Sequence, residues 1–419
     1  MALAFGARRR GVRYSVKVLL INTLYYPSIL GGAERSVQFL AEALAGAGND
    51  SVVVSTRPEP GIHMDWVNGV KVYYLGLRNV YWPFQGRANP GGLKPLWHAI
   101  DTFNLFMAHP LINILEDERP DVVHTNNLAG FSVAVWPLVR RYHLPLVHTI
   151  RDYYLLCPRS SMFNHGNNCE RRCAACRVYA MPRRYLSSQV EAVVGISSFL
   201  LGRHLEAGYF PNALVRRVIV NAYEAPKTAG ERALVKGARP LRLGYLGRLH
   251  PAKGVELLLS AVNEFKDGHV EVWLGGTGNI EYENHLRSRF SSSSIRYLGF
   301  VKPEDLLRQV DVLVVPSLWH EPLGRTVFEA YAYGVPVIAA RRGGIPEIVE
   351  EGKTGFIFDP DRPEYLSRVI ELFLENPRLT EQMKPTCLAK ARDFEPGKIL
   401  EQYLDLYNSV VRHDRWTRI

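Results

Sequence analysis

The feature that most constrains this chain is a repeated alternation of apolar runs with helix-like stretches. Runs that carry Val, Ile and Leu at nearly every position are typical of strands buried on both faces. Such strands belong to parallel sheets whose helical connections cover both sides. The predicted strands lie at 15–23, 51–56, 70–76, 121–126, 144–150 and 190–197, and again at 241–249, 269–276, 294–301, 311–317, 335–341 and 355–359.

The two groups of runs predict an α/β protein with two Rossmann-like parallel-sheet domains that face each other across a cleft. In open sheets of this kind, ligands bind beyond the carboxyl ends of the strands, so functional residues are expected in the loops that follow strands. The predicted division of the 419 residues is a disordered basic N-terminus at 1–15, an N-terminal domain at 16–224, a linker at 225–240, a C-terminal domain at 241–395 and a C-terminal helix at 396–419 that returns to the N-terminal domain.

The positive charge of the chain is concentrated in its first half. The formal net charge is +10, and residues 1–225 hold 24 Lys and Arg against 15 Asp and Glu. This excess suits an anionic partner, such as a membrane surface, a phosphorylated acceptor or nucleic acid, although a solvated basic surface explains it equally well. No RNA-recognition or helix-turn-helix pattern accompanies it, so no specific nucleic-acid partner is expected.

The sequence predicts a cytoplasmic location. No run of 18 apolar residues is long enough to span a bilayer, and the N-terminus lacks the apolar core of a secretory signal. Peripheral contact of the basic half with the inner face of the membrane stays open. The aromatic and basic stretch at 78–110, helix-like after Lys94, suits an acceptor-binding or membrane-facing flap, or else a long loop that packs its aromatics on its own core.

Three loops that follow predicted strands suit phosphate binding. Gly31 and Gly32 lie between a strand and a helix, where free N–H groups and the helix dipole favour an anion. Arg248 and Lys253 flank a turn, so both side chains can converge on a diphosphate. The Gly-rich loop at 275–278 lets a ring or a phosphate approach the backbone. Each pattern alone is equally compatible with a tight turn or an exposed basic pair.

A fourth loop holds two carboxylates eight residues apart. Glu321 lies in a Pro/Gly turn after a predicted strand, and Glu329 lies about one turn into the next helix. Three interpretations are open: solvated surface charges, an acid/base pair, or two acceptors for the hydroxyl groups of one ligand. The amides of residues 323–326 would open the helix between them and would offer donors to an anionic group.

Six motifs in this order resemble the retaining glycosyltransferases of family 4, or glycosyltransferase group 1, which have the two-domain GT-B fold. The resemblance extends over most of the chain and depends on the set rather than on any single motif. The motifs are GGAER at 31–35, GRLHPAKG at 247–254, GGTG at 275–278, the stretch at 297–301, the pair Glu321 and Glu329, and GVPVIAARRGGIPEIVEEGKTGFIFDP at 334–360.

The resemblance implies transfer of a sugar from a UDP- or GDP-type nucleotide diphosphate sugar to a glycan or lipid-linked acceptor. It implies that Arg248 and Lys253 hold the diphosphate, while Glu321 contacts the sugar hydroxyls and Glu329 the ribose. No catalytic cofactor or metal is implied, because cations and a helix N-terminus offset the charge of the leaving group. The other residues implied in donor binding are Gly31, Gly32, Gly276, Gly299, Phe300, Leu323, Gly324, Arg325 and Thr326.

The acceptor side departs from the family pattern. Where the family often has HTxHD, this chain has His148-Thr-Ile-Arg151-Asp152, so Arg151 stands in place of a histidine. Either His148 takes the catalytic role, or Arg151 replaces the histidine, or the acceptor differs; a structural role for His148 is also open. Asp152 is predicted to orient an acceptor hydroxyl.

A cluster of cysteines at 157–176 predicts a structural metal site. In a reducing cytoplasm such clustering favours zinc or an iron–sulfur cluster over disulfides, and free thiols or a redox-active pair are the alternatives. A similar cluster occurs in a subset of the resembled family, where it follows a stretch like DYYLLCPR. The predicted ligands are Cys157, Cys169, Cys173 and Cys176, with His165 as a substitute.

Other functions on the same architecture stay open at this point. A sugar-nucleotide epimerase or a phosphorylase would share the two-domain fold, but no lysine is singled out to hold a pyridoxal cofactor. A basic nucleic-acid-binding protein is the alternative from another class, and the missing recognition motifs count against it.

Overall fold

A computed structural model describes residues 15–84, 91–225 and 239–417 and contains two parallel-sheet domains. Within those residues, the N-terminal domain has an eight-stranded sheet and a separate two-stranded hairpin. The strands of the sheet are β1 Val18–Ile21, β2 Ser51–Arg57, β3 Ile62–Val67, β4 Val70–Gly76, β5 Val122–Thr125, β6 Leu146–Ile150, β9 Ala192–Gly195 and β10 Val215–Val218, and those of the hairpin are β7 Phe163–Asn164 and β8 Asn167–Asn168.

The N-terminal sheet has the order β10-β9-β6-β5-β1-β2-β4-β3, and only β3 runs antiparallel to its neighbour. Both faces of β1 are covered, because Val18 and Leu20 belong to one core cluster while Leu19 and Ile21 belong to another. This double coverage explains why β1 is apolar at every position. The helices of the domain are α1 Gly32–Gly46, α2 Lys94–Thr102, α3 Leu105–Ala108, α4 Leu111–Glu118, α5 Val135–Arg141, α6 Ala174–Leu186 and α7 Ser198–Glu206.

The C-terminal domain has an all-parallel six-stranded sheet, which confirms the predicted fold class of two Rossmann-like domains. Its strands are β11 Leu241–Leu246, β12 Val270–Gly275, β13 Ile295–Gly299, β14 Val312–Val315, β15 Val337–Ala340 and β16 Gly355–Phe358, in the order β13-β12-β11-β14-β15-β16. The helices that follow the linker are α8 Val255–Val262, α9 Ile280–Arg289, α10 Pro303–Leu307, α11 Arg325–Ala332, α12 Glu364–Glu375, α13 Leu379–Ala391 and α14 Pro396–Thr417.

The strands that sequence patterns missed lie at the edges of the sheets. Five of the six residues of β3 are exposed, and three of the four residues of β10 are exposed. Edge strands are only partly covered, so they lack the continuous apolar run that marks a central parallel strand. The hairpin β7–β8 has two residues in each strand, which is too short for any periodic pattern.

Two predicted segments lie outside the described residues. The N-terminus predicted at 1–15 is described only at its last residue, and the linker predicted at 225–240 only at its ends. Of the flap at 78–110, residues 78–84 contain no helix or strand, and a helix does begin at Lys94. No helix in the described ranges is long and apolar enough to cross a membrane.

The long helix α14 leaves the C-terminal domain and packs on the N-terminal sheet. Its residues Tyr403 and Tyr407 share a core cluster with Val18 of β1. The Tyr407 hydroxyl lies 2.7 Å from Nδ1 of the buried His124, whose Nε2 lies 2.7 Å from the Thr149 hydroxyl. Burial lowers the pKa of His124 well below its ordinary value, so the ring is neutral and must find its partners inside the protein.

Replacement of Tyr407 by Phe should therefore destabilise the N-terminal domain. The change leaves a buried ring nitrogen of His124 without its partner, and such a loss costs about 1–3 kcal/mol. Urea denaturation measures the free energy of unfolding. The matched control is Tyr185→Phe, because Tyr185 is 76% exposed and should lose nothing measurable. Equal stability of both variants would contradict the role of the His124–Tyr407 contact.

Candidate active site at the interdomain cleft

A cavity of about 430 Å³ lies between the two domains, at the carboxyl ends of β1, β11 and β14. This is the position that an open parallel sheet offers to a ligand. Residues from both domains line the cavity, so it is a true cleft rather than a groove in one domain. Among the lining residues, those singled out in the sequence are Gly31, Gly32, Arg248, Lys253, Glu321, Gly324, Arg325 and Thr326.

The central contact of the cavity joins Lys253 to Glu321. The Lys253 Nζ lies 2.5 Å from Glu321 Oε1, and the Ser317 hydroxyl donates to the same oxygen at 3.0 Å. The ammonium also lies 5.0 Å from the centre of the Trp319 ring, a cation–π distance. Lys253 follows β11 and Glu321 follows β14, which are hydrogen-bonded neighbours in the sheet, so loops 68 residues apart in the chain meet here.

The second predicted glutamate is buried beneath the same loop. Glu329 Oε1 accepts a hydrogen bond from Arg325 Nε at 2.7 Å, one helical turn apart on α11. Burial raises the pKa of Glu329, and Arg325 opposes that effect. Gly324 precedes the helix with φ +95°, a left-handed conformation that favours glycine and turns the first amides of α11 toward the cavity. Leu323 is buried and packs in the core.

Loops after three neighbouring strands of the C-terminal sheet are joined by backbone hydrogen bonds. Gly247 N donates to Gly275 O at 3.0 Å, and Gly276 N donates to Gly299 O at 2.7 Å. A Cβ on Gly276 would lie 1.8 Å from Gly247 O, and its φ is +148°, so only glycine fits. Phe300 follows directly and is 81% exposed, which leaves its ring free to stack on a planar group.

The N-terminal domain approaches the cavity through the start of α1. A Cβ on Gly32 would lie 3.5 Å from Arg325 Cδ, so the two domains are in near contact here. Gly31 N donates to Glu34 Oε2 at 2.8 Å, which fixes the loop before the helix. Arg325 thus lies between its own carboxylate partner and the opposite domain.

His148 and Arg151 lie in the interior of the N-terminal domain. His148 is 3% exposed, packs between the rings of Trp136 and Phe210, and contacts the Thr125 hydroxyl through Nδ1 at 2.9 Å. Burial lowers its pKa to about 3, so this ring is neutral and structural rather than directed at the cleft. The same burial lowers the pKa of Arg151, whose guanidinium donates to two asparagine side chains, those of Asn126 and Asn221.

Asp152 is the acceptor-side residue that stays partly accessible. Its Oδ1 accepts a hydrogen bond from Tyr154 N at 2.7 Å. Burial, with a contribution from the nearby Glu34, raises its pKa to about 6. Glu34, which contributes to that shift, is the residue that fixes the Gly31 loop, whereas Asp152 is not among the residues that line the cavity.

An interdomain clasp, formed by the hairpin insertion and residues 318–320, was not foreseen from the sequence. Asn168 Nδ2 donates to Leu318 O at 2.7 Å, and its Oδ1 accepts from His320 N at 2.8 Å. Trp319 Nε1 donates to Ser161 O at 2.6 Å. The Tyr153 hydroxyl donates to His320 O at 2.8 Å. The clasp therefore holds the segment that leads directly into Glu321.

The start of α7 makes a second contact between the domains. The amides of Ser198 and Phe199 donate to the two carboxylate oxygens of Glu347 at 2.7 and 2.6 Å. A carboxylate is favoured at a helix N-terminus, where the dipole is positive and the first amides are free. The Ser197 side chain also donates to Pro322 O. Glu347 lies within the motif at 334–360, but no pattern predicted its contact with the start of α7, although Ser197 is a recognisable helix cap.

The cysteine insertion does not support the predicted metal site. In the described part of the chain, no three or more His, Cys, Asp or Glu side chains are arranged to hold an ion. Cys173 directly precedes α6, and hydrogen bonds from the Cys176 amide and thiol lower the pKa of its thiol. All of the insertion's cysteines are free thiols, with Cys157 buried and Cys169, Cys173 and Cys176 more accessible.

Family models cover both domains. One described as a glycosyl transferase 4-like domain matches residues 31–221, and one described as glycosyl transferases group 1 matches residues 229–387. A 42.6 kDa protein in the cps region of Klebsiella pneumoniae is 35% identical over 80% of this chain and 87% of its own length. This chain belongs to the group 1 glycosyltransferases. It is an enzyme of sugar transfer, as the sequence motifs predicted.

Further comparisons agree with this glycosyltransferase assignment. A D-inositol 3-phosphate glycosyltransferase of Corynebacterium jeikeium is 36% identical over 80% of this chain and 81% of its own. Two solved structures share the GT-B fold at 20% identity: sucrose-phosphate synthase from Thermosynechococcus elongatus, with a TM-score of 0.75 over 95% of this chain, and the Anabaena protein HepE with UDP and glucose, with a TM-score of 0.69 over 94%. Both are matched over their whole length.

Replacement of Gly276 by Ala should disrupt the loops of the glycosyltransferase cleft. The new Cβ would collide with a carbonyl oxygen of the adjacent loop in a strained conformation, which we expect to lower the free energy of unfolding of the C-terminal domain by about 1–3 kcal/mol. Gly202→Ala on α7 is the control, because nothing lies within 4 Å of its added Cβ. That variant should be as stable as the parent or slightly more stable. Chemical denaturation compares the two.

Proposed function

We propose that this enzyme transfers a sugar from a nucleotide diphosphate sugar to a hydroxyl group, with retention of the anomeric configuration. The observation that carries the proposal is the Lys253–Glu321 pair in a cleft that also contains Arg248. A cation for phosphate and a carboxylate for hydroxyls, held 2.5 Å apart, suit a ligand in which a sugar is attached directly to a phosphate.

The donor would lie along the loops of the C-terminal domain. In this arrangement Arg248, Lys253 and the first amides of α11 contact the diphosphate, and Glu321 accepts hydrogen bonds from the sugar. Glu329 accepts from the ribose and Phe300 stacks on the base. The position of Gly32 beside Arg325 supports a close approach of the N-terminal domain to the phosphates.

The chemistry follows from where charge develops. The bond between the anomeric carbon and the diphosphate oxygen breaks, and negative charge builds on the diphosphate while the sugar becomes oxocarbenium-like. Arg248 and Lys253 stabilise that charge without a metal ion. The acceptor oxygen attacks from the face that the diphosphate leaves, so configuration is retained. The acceptor proton passes to an oxygen of the departing phosphate.

The two glutamates are not assigned as a hydrolytic acid/base pair. Glu321 is already bonded to Lys253, and Glu329 is buried against Arg325. A carboxylate that is already engaged by a basic side chain suits the binding of a ligand better than proton transfer. Asp152 is assigned on the acceptor side, where its carboxylate would orient the attacking hydroxyl.

The acceptor is assigned to the glycans or glycolipids of polysaccharide biosynthesis at the cell envelope. The relative in the cps region of Klebsiella pneumoniae supports this class. We assign the enzyme to the cytoplasm, with peripheral contact at the inner face of the membrane. The basic excess of residues 1–225 supports that contact. UDP in one structural relative and ADP in another support a nucleotide donor.

Substitutions at the ion pair test the donor assignment. Thermal shift against UDP-, GDP- and ADP-sugars first identifies the donor, because a ligand of the folded state raises its apparent stability. Glu321→Gln and Lys253→Ala should then each lower kcat/KM by roughly 10²–10³-fold, since each removes a charge that the cleft uses. Glu264→Gln and Lys266→Ala, both exposed residues of the same domain, should keep the parental kcat/KM.

The same assay distinguishes the mechanism. The product should have the anomeric configuration of the donor by NMR, and turnover should persist in a chelator. An inverted product would contradict front-face transfer, and complete loss of activity in chelator would contradict metal independence. Unchanged kcat/KM in both ion-pair variants would overturn the site assignment.

The acceptor role of Asp152 predicts a pH dependence. Its carboxylate accepts a hydrogen bond from a hydroxyl more strongly when it is ionised, and its raised pKa is about 6, so kcat/KM for the acceptor should rise with pH through about 6 and then level off. Asp152→Asn should lower kcat/KM and remove that rise. His148 cannot produce it, because its pKa is about 3. An unchanged rise in the Asn variant would assign the titration to another group.

A further inference from the structure

A second cavity, of about 440 Å³, lies in the N-terminal domain and is lined by four arginines and two glutamates. We call it the arginine pocket. It shares no lining residue with the cleft between the domains. Arg171 and Arg172 come from the segment between Cys169 and Cys173, Arg177 from the first turn of α6, and Arg203 from α7.

The pocket keeps an excess of positive charge, because its four arginines outnumber its two glutamates, Glu170 and Glu206. In the described residues, none of the four arginines lies within ion-pair distance of a carboxylate. Arg203 donates only to backbone, to Cys169 O at 3.0 Å and Glu170 O at 3.1 Å. Arg172 lies 5.9 Å from the centre of the Tyr209 ring. Like charges gathered around one cavity repel each other, and an anion in the cavity would remove that cost.

Two apolar side chains also line the arginine pocket and restrict the chemistry of the anion that can bind there. They are Leu156 and Met162, and both are buried. Guanidinium groups present parallel N–H donors that match the oxygens of phosphate, and several around one cavity exceed what a single carboxylate needs. The chemistry therefore favours a phosphate or diphosphate whose attached group is apolar or extends outward.

The pocket is connected to the cleft by a short series of contacts. Arg203 holds the carbonyl of Glu170, whose Oε1 lies 4.0 Å from His320 Nε2. His320 directly precedes Glu321 and accepts from the Tyr153 hydroxyl through its carbonyl oxygen. Burial raises the pKa of Tyr153, the charge of Arg203 opposes that shift, and the charge of Glu321 adds to it. A ligand in the pocket would thus lie on the acceptor side of the sugar-binding glutamate.

The outer face of α6 beside the pocket is apolar and exposed. Val178, Met181 and Tyr185 are 65%, 67% and 76% exposed, and Arg177 and Arg184 lie on the same helix. Exposed apolar residues interspersed with arginine are typical of helices that lie in a membrane interface. The Tyr179 hydroxyl donates to Pro95 O at the start of α2, where Leu96 is also exposed.

We propose that the arginine pocket binds the phosphate or diphosphate of the acceptor, and that a lipid carries this group. The inference rests on the proposed function, since it names the acceptor of that transfer. The donor phosphates have their own cations, Arg248 and Lys253, in the other domain. The lipid would lie along the apolar face of α6, where charge and apolar surface adjoin.

Binding of inorganic pyrophosphate tests the pocket without any need for activity. The test protein is the full chain with the substitutions Arg248→Ala and Lys253→Ala, so that the donor cleft no longer competes for pyrophosphate. Calorimetry should detect pyrophosphate binding in this protein, and addition of Arg171→Ala and Arg177→Ala should weaken it at least tenfold. Addition of Arg217→Ala, an exposed arginine outside the pocket, should leave the affinity unchanged. Equal affinity in the pocket variant would overturn the proposal.

Both pocket substitutions are designed to preserve the fold. Arg171 and Arg177 are exposed, and their side chains have no hydrogen-bond or ion-pair partner among the described residues. Circular dichroism and the melting temperature should match those of the Arg217→Ala protein. The affinity for pyrophosphate should also fall steeply with salt in the parent, because the interaction is between charges.

Transfer assays identify the carrier of the phosphate. With native donor residues, Arg171→Ala/Arg177→Ala should raise KM for a lipid diphosphate acceptor in phosphatidylcholine vesicles at least tenfold, with KM for the donor unchanged. Faster transfer to a water-soluble phosphate ester than to the vesicles would overturn the lipid carrier. Absence of transfer to every acceptor, with pyrophosphate binding intact, would instead count against the proposed function.

Discussion

The contacts of Asn168 with the backbone of Leu318 and His320 are the constraint on which the cleft depends. They link a short hairpin of the N-terminal domain to the segment that precedes Glu321 in the C-terminal domain. The Trp319–Ser161 and Tyr153–His320 contacts also join the loop after β14 to the N-terminal domain. The backbone that leads into Glu321 is therefore fixed by both domains, which is what a precisely positioned carboxylate requires.

In the part of the chain that the structure describes, the cleft between the domains also has three cations on one of its two sides. The cations Arg248, Lys253 and Arg325 belong to the C-terminal domain. The N-terminal domain contributes Gly31 and Gly32 to the cavity, and its His148 is neutral in the core. Lys253 and Arg325 are each paired with a carboxylate, so these two cations are oriented before any ligand arrives, which is the condition for electrostatic stabilisation of a developing negative charge.

The sequence was sufficient to predict those parts of the fold that follow a regular hydrophobic pattern. Central strands such as β1 and β14 are continuous apolar runs because both faces are buried, and functional residues were expected in the loops that follow strands. Lys253 and Glu321 lie in two such loops, after β11 and β14, although their contact was not itself predicted. The edge strand β3 was missed because it is mostly exposed. His148 could not be assigned from sequence, since the rings of Trp136 and Phe210 that enclose it come from distant segments.

The clasp and the arginine pocket could not be predicted for a related reason. Asn168 and Leu318 are 150 residues apart and neither belongs to a motif. The excess of basic residues in the first half of the chain was evident from the sequence. Which of these arginines gather around one cavity depends on how the insertion folds against α7. The cysteine spacing pointed to a metal, whereas the described residues contain no group of three or more His, Cys, Asp or Glu side chains arranged to hold one.

The return of α14 to the N-terminal domain means that the chain passes between the domains twice. The two crossings lie side by side, because Tyr223, just before the linker, donates its amide to Phe394 O at 2.8 Å, just before α14. A domain that is connected by one segment of chain can rotate freely about that segment. A domain that is connected by two adjacent segments keeps mainly a bending motion about a single axis, so the cleft should open by hinge bending rather than by free rotation of the domains.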